Sequence, residues 1–413
     1  MVQTSASFRS NPSATDCAIS FSEVISALSY ALDLTEGALP GHALRSCLLG
    51  IRIATELNLG EQQTNSLYFA LLLKDAGRSN HARRIAGGAR IMCKLGLGLD
   101  AVEAVHSLEE RWDGGGQPDA LKGEQIPLLS RIGAVAEHLD VFSGERGIAA
   151  AISSLIERSG TWFDPELVRV AVSLHHRGTL WTNCLPSASQ EDSRRAVLDL
   201  DAGKRHLLQN GQIDHICEAF AEVVDAKSHF TFRHSMSVAD TAYGIARRMG
   251  LPSHRVQLVR RAALLHDIGK LSLSNSILDK TTQLNETEWE AVYQHPRLTR
   301  QILERVGAFR EMAVIAGEHH EKLDGSGYPN RLMALDLSLE SRIVAVADVY
   351  GALSEDRPYR AGLEPQQIVS ILTRLAPKKL DGDCVDVLVT MLAEESFVRF
   401  KPVLEESTTQ IYA

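Results

Sequence analysis

No stretch of this 413-residue sequence stays apolar for long enough to cross a membrane. The longest apolar runs, such as Leu67 to Leu73, stop far short of the roughly 20 residues that a spanning helix needs. The first 20 residues are polar and serine-rich and lack the apolar centre of a signal peptide. A cytoplasmic location with no membrane association is the expectation. Positive charge is also scarce. Lys+Arg 43 against Asp+Glu 52 leaves a formal net charge of −9, which argues against a generic binder of duplex nucleic acid. A local basic pocket facing a small anion is still allowed. The six cysteines, at 17, 47, 93, 184, 217 and 384, form no Cys-x-x-Cys pair, so neither a zinc ribbon nor a disulfide framework is expected. Reduced, mostly buried thiols fit better.

Hydrophobic residues at 44% and charged residues at 23% are enough to bury a sizeable core, and the length suggests two or three domains. Period-two alternation is short and unconvincing. Helical spacing is everywhere: Leu258, Val259, Ala262 and Leu265 recur on one face, as do Phe309, Met312, Ala313, Ala316 and His319. His234 heads a similar stripe with Val238, Ala242 and Ile245. The fold class is all-α.

An internal repeat organises the chain. Leu73-Lys74-Asp75-Ala76-Gly77-Arg78 aligns with Leu265-His266-Asp267-Ile268-Gly269-Lys270 at an offset of 192, which also pairs His42 with His234. Arg111-Trp112-Asp113-Gly114-Gly115-Gly116-Gln117-Pro118 aligns with Lys322-Leu323-Asp324-Gly325-Ser326-Gly327-Tyr328-Pro329 at an offset of 211. That offset also pairs Glu137 with Asp348 and Arg146 with Arg357. The first copy therefore lacks a 19-residue piece, in the interval that carries His295 in the second. The stretch from Trp181 to Arg195 reads as a linker between the copies.

The second copy holds His234, His266, Asp267, His295, His319, His320 and Asp348. A lone histidine is usually a packed or surface residue. A His-Asp pair and a His-His pair, each following an amphipathic helix, are unusual on packing grounds alone. Imidazoles around carboxylates suit divalent metals, and a set without thiolate favours Fe, Mn or Zn.

These residues resemble a known family. His266-Asp267-Ile268-Gly269-Lys270, then His319-His320-Glu321-Lys322-Leu323-Asp324-Gly325-Ser326-Gly327-Tyr328-Pro329, then Arg357-Pro358-Tyr359-Arg360, look like the HD-GYP subgroup of the HD metal phosphohydrolases. The stretch Asp225 to Ser235 resembles the start of that domain. The resemblance implies two tandem HD-type helical bundles: a polar tail at 1–20, a degenerate regulatory copy at 21–180, a linker at 181–205, a catalytic copy at 206–405 and a tail at 406–413. It also implies a phosphodiesterase that linearises cyclic di-GMP to pGpG, and on to GMP, with 3′,3′-cyclic GMP-AMP as an alternative substrate. A non-catalytic module binding the dinucleotide or a cyclase is the reading from a different class.

Carried over by position, His234, His266, Asp267 and Asp348 hold one metal. Asp267 bridges to a second metal on His295, His319 and His320, the pair being iron or manganese. Members with a third metal have a glutamate where this chain has Phe230, so two metals are expected. Such metals, about 3.5–4 Å apart, lower the pKa of a water and clamp the phosphate oxygens. Asp267 and Lys270 are thus the candidate catalytic residues, and Lys270 and Arg357 the candidate phosphate contacts. The Asp324, Gly325, Gly327, Tyr328 and Pro329 loop is expected to form a rigid turn beside the His-His pair. A diguanylate cyclase domain is its candidate partner, and a homodimer the candidate assembly. Glu321 is expected to support the ligands or a helix end rather than act as general base. In the first copy only His42 and Asp75 survive as ligands, and the Lys74 ammonium is expected to stand in the metal position, paired with Asp75.

Overall fold

The computed structural model describes residues 19–35, 39–76, 90–201, 208–228, 233–356 and 361–394. Among them every regular element is helical, and the extended contacts are two isolated bridges, Ser159 with Phe163 and Asp324 with Met333. The protein is all-α, as its periodicity indicates. No helix among the described residues is long and apolar enough to cross a membrane. Cys47, Cys184, Cys217 and Cys384 are buried free thiols, and Cys93 is an exposed one. Residues 1–18, with Cys17, lie outside the described residues, as do Phe230, Arg357 to Arg360, and everything after 394, including the expected tail at 406–413.

Both copies begin with the same device. Asp33, in the last turn of the Phe21–Thr35 helix, accepts hydrogen bonds from the N–H groups of Gly41 (2.9 Å) and Ala43 (3.0 Å). These open the His42–Glu56 helix. Asp225, which ends the Asn210–Asp225 helix, accepts from the Ser235 N–H (3.1 Å) and hydroxyl (2.7 Å) at the start of the His234–Arg248 helix. The first N–H groups of a helix lack intrahelical acceptors, so a buried carboxylate from the preceding helix satisfies them. The residue before each helix, Gly41 at φ 86° and Arg233 at φ 65°, is left-handed and turns the chain sharply. His42 and His234 are thereby the first residues of helices that enter the core.

The His234–Arg248 helix packs against Ser253–Leu265 and Leu339–Ser354, as His42–Glu56 packs against Glu61–Leu73 and Leu128–Arg146. The copies are not beads on a string. The Phe21–Thr35 helix belongs to the first by sequence, yet it also lies on the 3-10 turn Ile268–Ser272 and the His295–Leu303 helix of the second. Glu23 accepts a hydrogen bond from the Gly307 N–H (3.0 Å), and the Arg305 guanidinium sits 3.8 Å from the centre of the Tyr30 ring. Elsewhere Lys94 pairs with Glu222. One contiguous apolar core runs through both halves.

The expected linker at 181–205 is described through residue 201, and that part is packed. Leu180, Trp181, Cys184 and Val197 are buried, and residues Gln190–Leu200 form a helix that packs on His42–Glu56 and Phe21–Thr35. Arg194 donates to the Arg305 carbonyl (2.8 Å) and Gln190 accepts from Arg305 (2.7 Å), so the segment joins the halves by contact as well as by chain. Ser189 caps this helix on the Asp192 N–H (3.1 Å), and of its polar residues Glu191, Asp192 and Arg195 are exposed while Ser193 and Arg194 are buried. Ile19, expected as tail, also packs on the core, and its carbonyl accepts the Leu208 N–H (2.8 Å).

Leu28 is 1% exposed in the helix shared by both halves. Leu28→Ala should cost about 2–5 kcal/mol. Denaturant unfolding should show the loss, and hydrogen exchange should rise in 268–272 and 295–303, across the copy boundary.

Candidate metal centre

Helix ends deliver the histidines. His266 directly follows the Ser253–Leu265 helix, and His319 lies two residues beyond Arg310–Gly317. His295 opens its own helix just after Glu286–Tyr293. Each of the three directs Nδ1 to the carbonyl three residues earlier: His266 to Ala263 (2.7 Å), His295 to Val292 (2.6 Å) and His319 to Ala316 (2.7 Å). The last carbonyls of a helix have no intrahelical donor, so each Nδ1–H satisfies one. The proton is thus held on Nδ1, and Nε2 is left as a lone pair. Gly269 permits the assembly, since a Cβ there would stand 2.0 Å from the His295 carbonyl oxygen. Thr299 completes it, donating to the His266 carbonyl (2.8 Å) and accepting the Gly269 N–H (3.0 Å).

The seven residues expected to hold metal converge. His234, His266 and Asp348 form one group of mutually close donors, and His295, His319 and His320 another. Asp267 stands between them. Its Oδ2 lies 3.3 Å from His266 Nε2 and 3.8 Å from His234 Nε2, while Oδ1 lies 3.3 Å from His295 Nε2 and 3.7 Å from His319 Nε2. Asp348 spans a similar gap, with Oδ1 3.4 Å from His234 Nε2 and Oδ2 3.5 Å from His320 Nδ1.

This donor set fits divalent metal. His234 Nε2, His266 Nε2 and Asp267 Oδ1 are buried without a hydrogen-bond partner, which a folded protein does not ordinarily tolerate. His295 and His319 bring their Nε2 atoms to 3.1 Å, where two lone pairs repel unless a cation lies near. Burial would raise the Asp267 pKa, but the charges of His266 and Lys270 and the close imidazoles hold it well below the usual carboxylate range. Asp348 is held low in the same way by His234 and His266, again against burial. Burial, with the charge of neighbouring imidazoles, pushes His319 and His320 well below the ordinary histidine value, toward the neutral form that binds metal. Burial disfavours a proton on His266, yet Asp267 and Asp348 raise it to about 10. The two carboxylates attract whatever cation reaches that spot.

Lys270, expected to meet a phosphate, places Nζ on Asp267 Oδ2. Arg357 lies outside the described residues. The 324–329 loop is a tight turn beside the histidine pair. Gly325 has φ 73°, and a Cβ on Gly327 would lie 2.4 Å from the Lys322 nitrogen. Glu321 holds the far side, accepting the N–H groups of Asn330 (2.6 Å) and Leu332 (3.0 Å). Tyr328 lies over the His320 ring (4.7 Å between centroids) and against Tyr293 (4.5 Å), which stacks on Trp289 (5.5 Å). Sequence reasoning missed Glu355, whose Oε2 meets His234 Nδ1 at 2.7 Å. Its only signal was a carboxylate one turn beyond Gly351.

In the first copy the Lys74 ammonium takes the central place. Nζ lies 2.6 Å from His42 Nε2, 2.6 Å from Asp75 Oδ2 and 3.7 Å from Glu137 Oε1. Those are the counterparts of His234, Asp267 and Asp348. Glu110 repeats the role of Glu321, accepting the N–H groups of Asp119 (2.6 Å) and Leu121 (3.0 Å). The loop scaffold is kept where the ligands are gone.

A family model for the HD domain matches residues 74–167 and 218–384, more than half of the chain. The 3′3′-cGAMP-specific phosphodiesterase 3 of Vibrio cholerae is 35% identical over 89% of this chain and 93% of its own length. A crystal structure of a cyclic GMP-AMP specific phosphodiesterase from V. cholerae superposes with a TM-score of 0.69 at 34% identity, covering 91% of this chain and 98% of that one. The cyclic di-GMP phosphodiesterase response regulator RpfG of Xanthomonas campestris is 38% identical over 35% of this chain and 39% of its own length.

The Lys74 and Asp75 side chains are only 1% and 2% exposed, so removing the ammonium takes an opposite charge from beside a buried carboxylate. Lys74→Met should cost about 3–5 kcal/mol in denaturant unfolding. Metal content should not change.

Proposed function

The chain belongs to the HD-domain family, in its HD-GYP branch, and from that premise we propose that it opens a cyclic dinucleotide at a centre of two divalent metals in residues 206–405. It is a cyclic-dinucleotide phosphodiesterase. The observation that carries the reading is the convergence of seven nitrogen and oxygen donors on Asp267, with three of their atoms buried and unpartnered. His234, His266 and Asp348 would hold one metal and His295, His319 and His320 the other, with Asp267 shared. Iron or manganese suits a set without thiolate. Residues 21–180 are then a non-catalytic regulatory copy, because an ammonium fills the position of the first metal.

When bound, the metals lower the pKa of an attacking water and neutralise charge on the scissile phosphate. The chain's own residues orient and bind. Lys270 stands beside Asp267 as a compact positive charge able to meet a phosphate oxygen, and Arg357 is proposed to add a bidentate contact. Cleavage of one P–O3′ bond, with a proton delivered to the departing 3′ oxygen, yields the linear dinucleotide. Trp289 and Tyr293, both more than 40% exposed, lead from solvent to Tyr328 and His320 and offer aromatic faces to a nucleobase.

Cyclic di-GMP is the substrate that the motif set suggests. Preference for 3′,3′-cyclic GMP-AMP is a second reading, favoured because the Vibrio cholerae relative of that specificity aligns through both copies. The Xanthomonas campestris cyclic di-GMP enzyme aligns with little more than a third of the chain. A cytoplasmic location, a diguanylate cyclase domain docking at residues 324–329, and a homodimer complete the proposal. The cyclase partner rests on the family resemblance, and the homodimer on the retention of the first copy beside an intact one.

Protein reconstituted anaerobically with Fe(II) or Mn(II) should contain about two metals per chain by elemental analysis. It should hydrolyse at least one of the two dinucleotides when both are assayed in parallel. Asp267→Ala should abolish turnover and lose at least one metal. Wild-type protein that takes up no metal, or Asp267→Ala with full activity, would overturn the reading. Trp289→Ala should raise KM roughly tenfold with little change in kcat, since base stacking contributes about 1–3 kcal/mol; an unchanged KM removes the aromatic contact.

A further inference from the structure

Metal-binding histidines depend on what their second ring nitrogen meets, because that contact sets the tautomer and aims the ring. Three histidines of the centre use a backbone carbonyl three residues earlier. His234, the first residue of its helix, is held differently. Its Nδ1 meets Glu355 Oε2 at 2.7 Å, while its Nε2 is among the buried atoms without a partner.

The first copy solves the same problem from another position. His42 Nδ1 meets Asp140 Oδ2 at 2.6 Å. At the offset of 211, Asp140 corresponds to Gly351, and Gly144 corresponds to Glu355. Carboxylate and glycine have exchanged places, one helical turn apart. The reason is steric. A Cβ on Gly351 would lie 2.9 Å from Val238 Cγ2 and 3.3 Å from His234 Cε1, so a side chain there requires Val238 or the His234 ring to shift. The counterpart of Val238 in the first copy is the smaller Ser46, which leaves room for Asp140. The helices end accordingly. Leu128–Arg146 runs on through Gly144, whereas Leu339–Ser354 stops just before Glu355, whose extended backbone (φ −99°, ψ 154°) lets the side chain fold back.

We propose that Glu355 is the positioning residue for His234: it holds the proton on Nδ1 and aims Nε2 at the first metal, serving from position 355 as Asp140 serves His42 in the first copy. The inference rests on the metal-centre reading above. It concerns how one ligand is held, not the chemistry of the substrate.

Full-length wild-type, Glu355→Ala, Glu355→Gln and the triple variant Val238→Ser/Gly351→Asp/Glu355→Ala test it, with metal affinity read by chelator competition and ligand geometry by the visible spectrum of Co(II)-substituted protein. Glu355→Ala should weaken the first metal by about 10–100-fold and alter the Co(II) spectrum while the melting temperature of the metal-free protein barely moves. Glu355→Gln keeps an acceptor oxygen and should fall between. The triple variant rebuilds the first copy's arrangement and should regain most of the lost affinity. Glu355→Ala with wild-type affinity and spectrum overturns the proposal, as does a folded triple variant that recovers nothing. If the triple variant does not fold, the other two decide, and equal weakening in Ala and Gln counts against it. Wild-type protein that binds no metal defeats the metal-centre reading itself, an outcome separate from all of these.

Discussion

A carboxylate at 2% exposure, Asp267, is the constraint around which the second half is built. Removing an ionised carboxylate from water is expensive unless opposite charge and hydrogen bonds surround it. Here one oxygen faces His234 and His266 and the other faces His295 and His319, and Lys270 reaches in from the following turn. No single helix can supply that many partners. Helix ends from across the bundle have to meet at one point, and the Asp225 cap, the close approach at Gly269 and the Thr299 brace all serve that meeting.

The two copies answer the same cost in different ways. In the first, Lys74 places a covalently attached cation among His42, Asp75 and Glu137, and the site is neutralised from within. In the second, histidine stands at that position, and the carboxylates depend on a cation from outside. Lysine at this position closes one centre with its own ammonium, while histidine, with the donors that the first copy lacks, leaves the other open to metal. The turns around both centres are alike, since Glu110 and Glu321 brace the same loop with the same pair of backbone contacts. Those contacts serve backbone geometry and do not depend on what fills the centre.

The halves also share material. The Phe21–Thr35 helix lies on Ile268–Ser272, the turn that carries Lys270, and on the helix that begins at His295. A change in how the first copy is packed therefore reaches the turn beside Asp267 through side chains in direct contact. That provides a physical route for the regulatory role proposed for residues 21–180.

The sequence by itself was enough for the all-α class, the repeat with its two offsets, the seven residues that converge in the second copy and the substitution at Lys74. Each of these is written in residue type and spacing along one chain. Tertiary structure alone decided the rest. Residues 181–205 read as a linker because of Pro186, the serines and the charged residues, and only the packed arrangement reveals that Trp181, Cys184 and Val197 are buried. The lone pairs on His266, His295 and His319 follow from where helices end, because the carbonyls that take the Nδ1 protons are free only there. Glu355 was invisible for a sharper reason. Its partner is 121 positions away, and the first copy supplies the matching carboxylate from a different position of the equivalent helix. Spacing records which residues share a face of one helix, whereas the room left between helices exists only once they have packed.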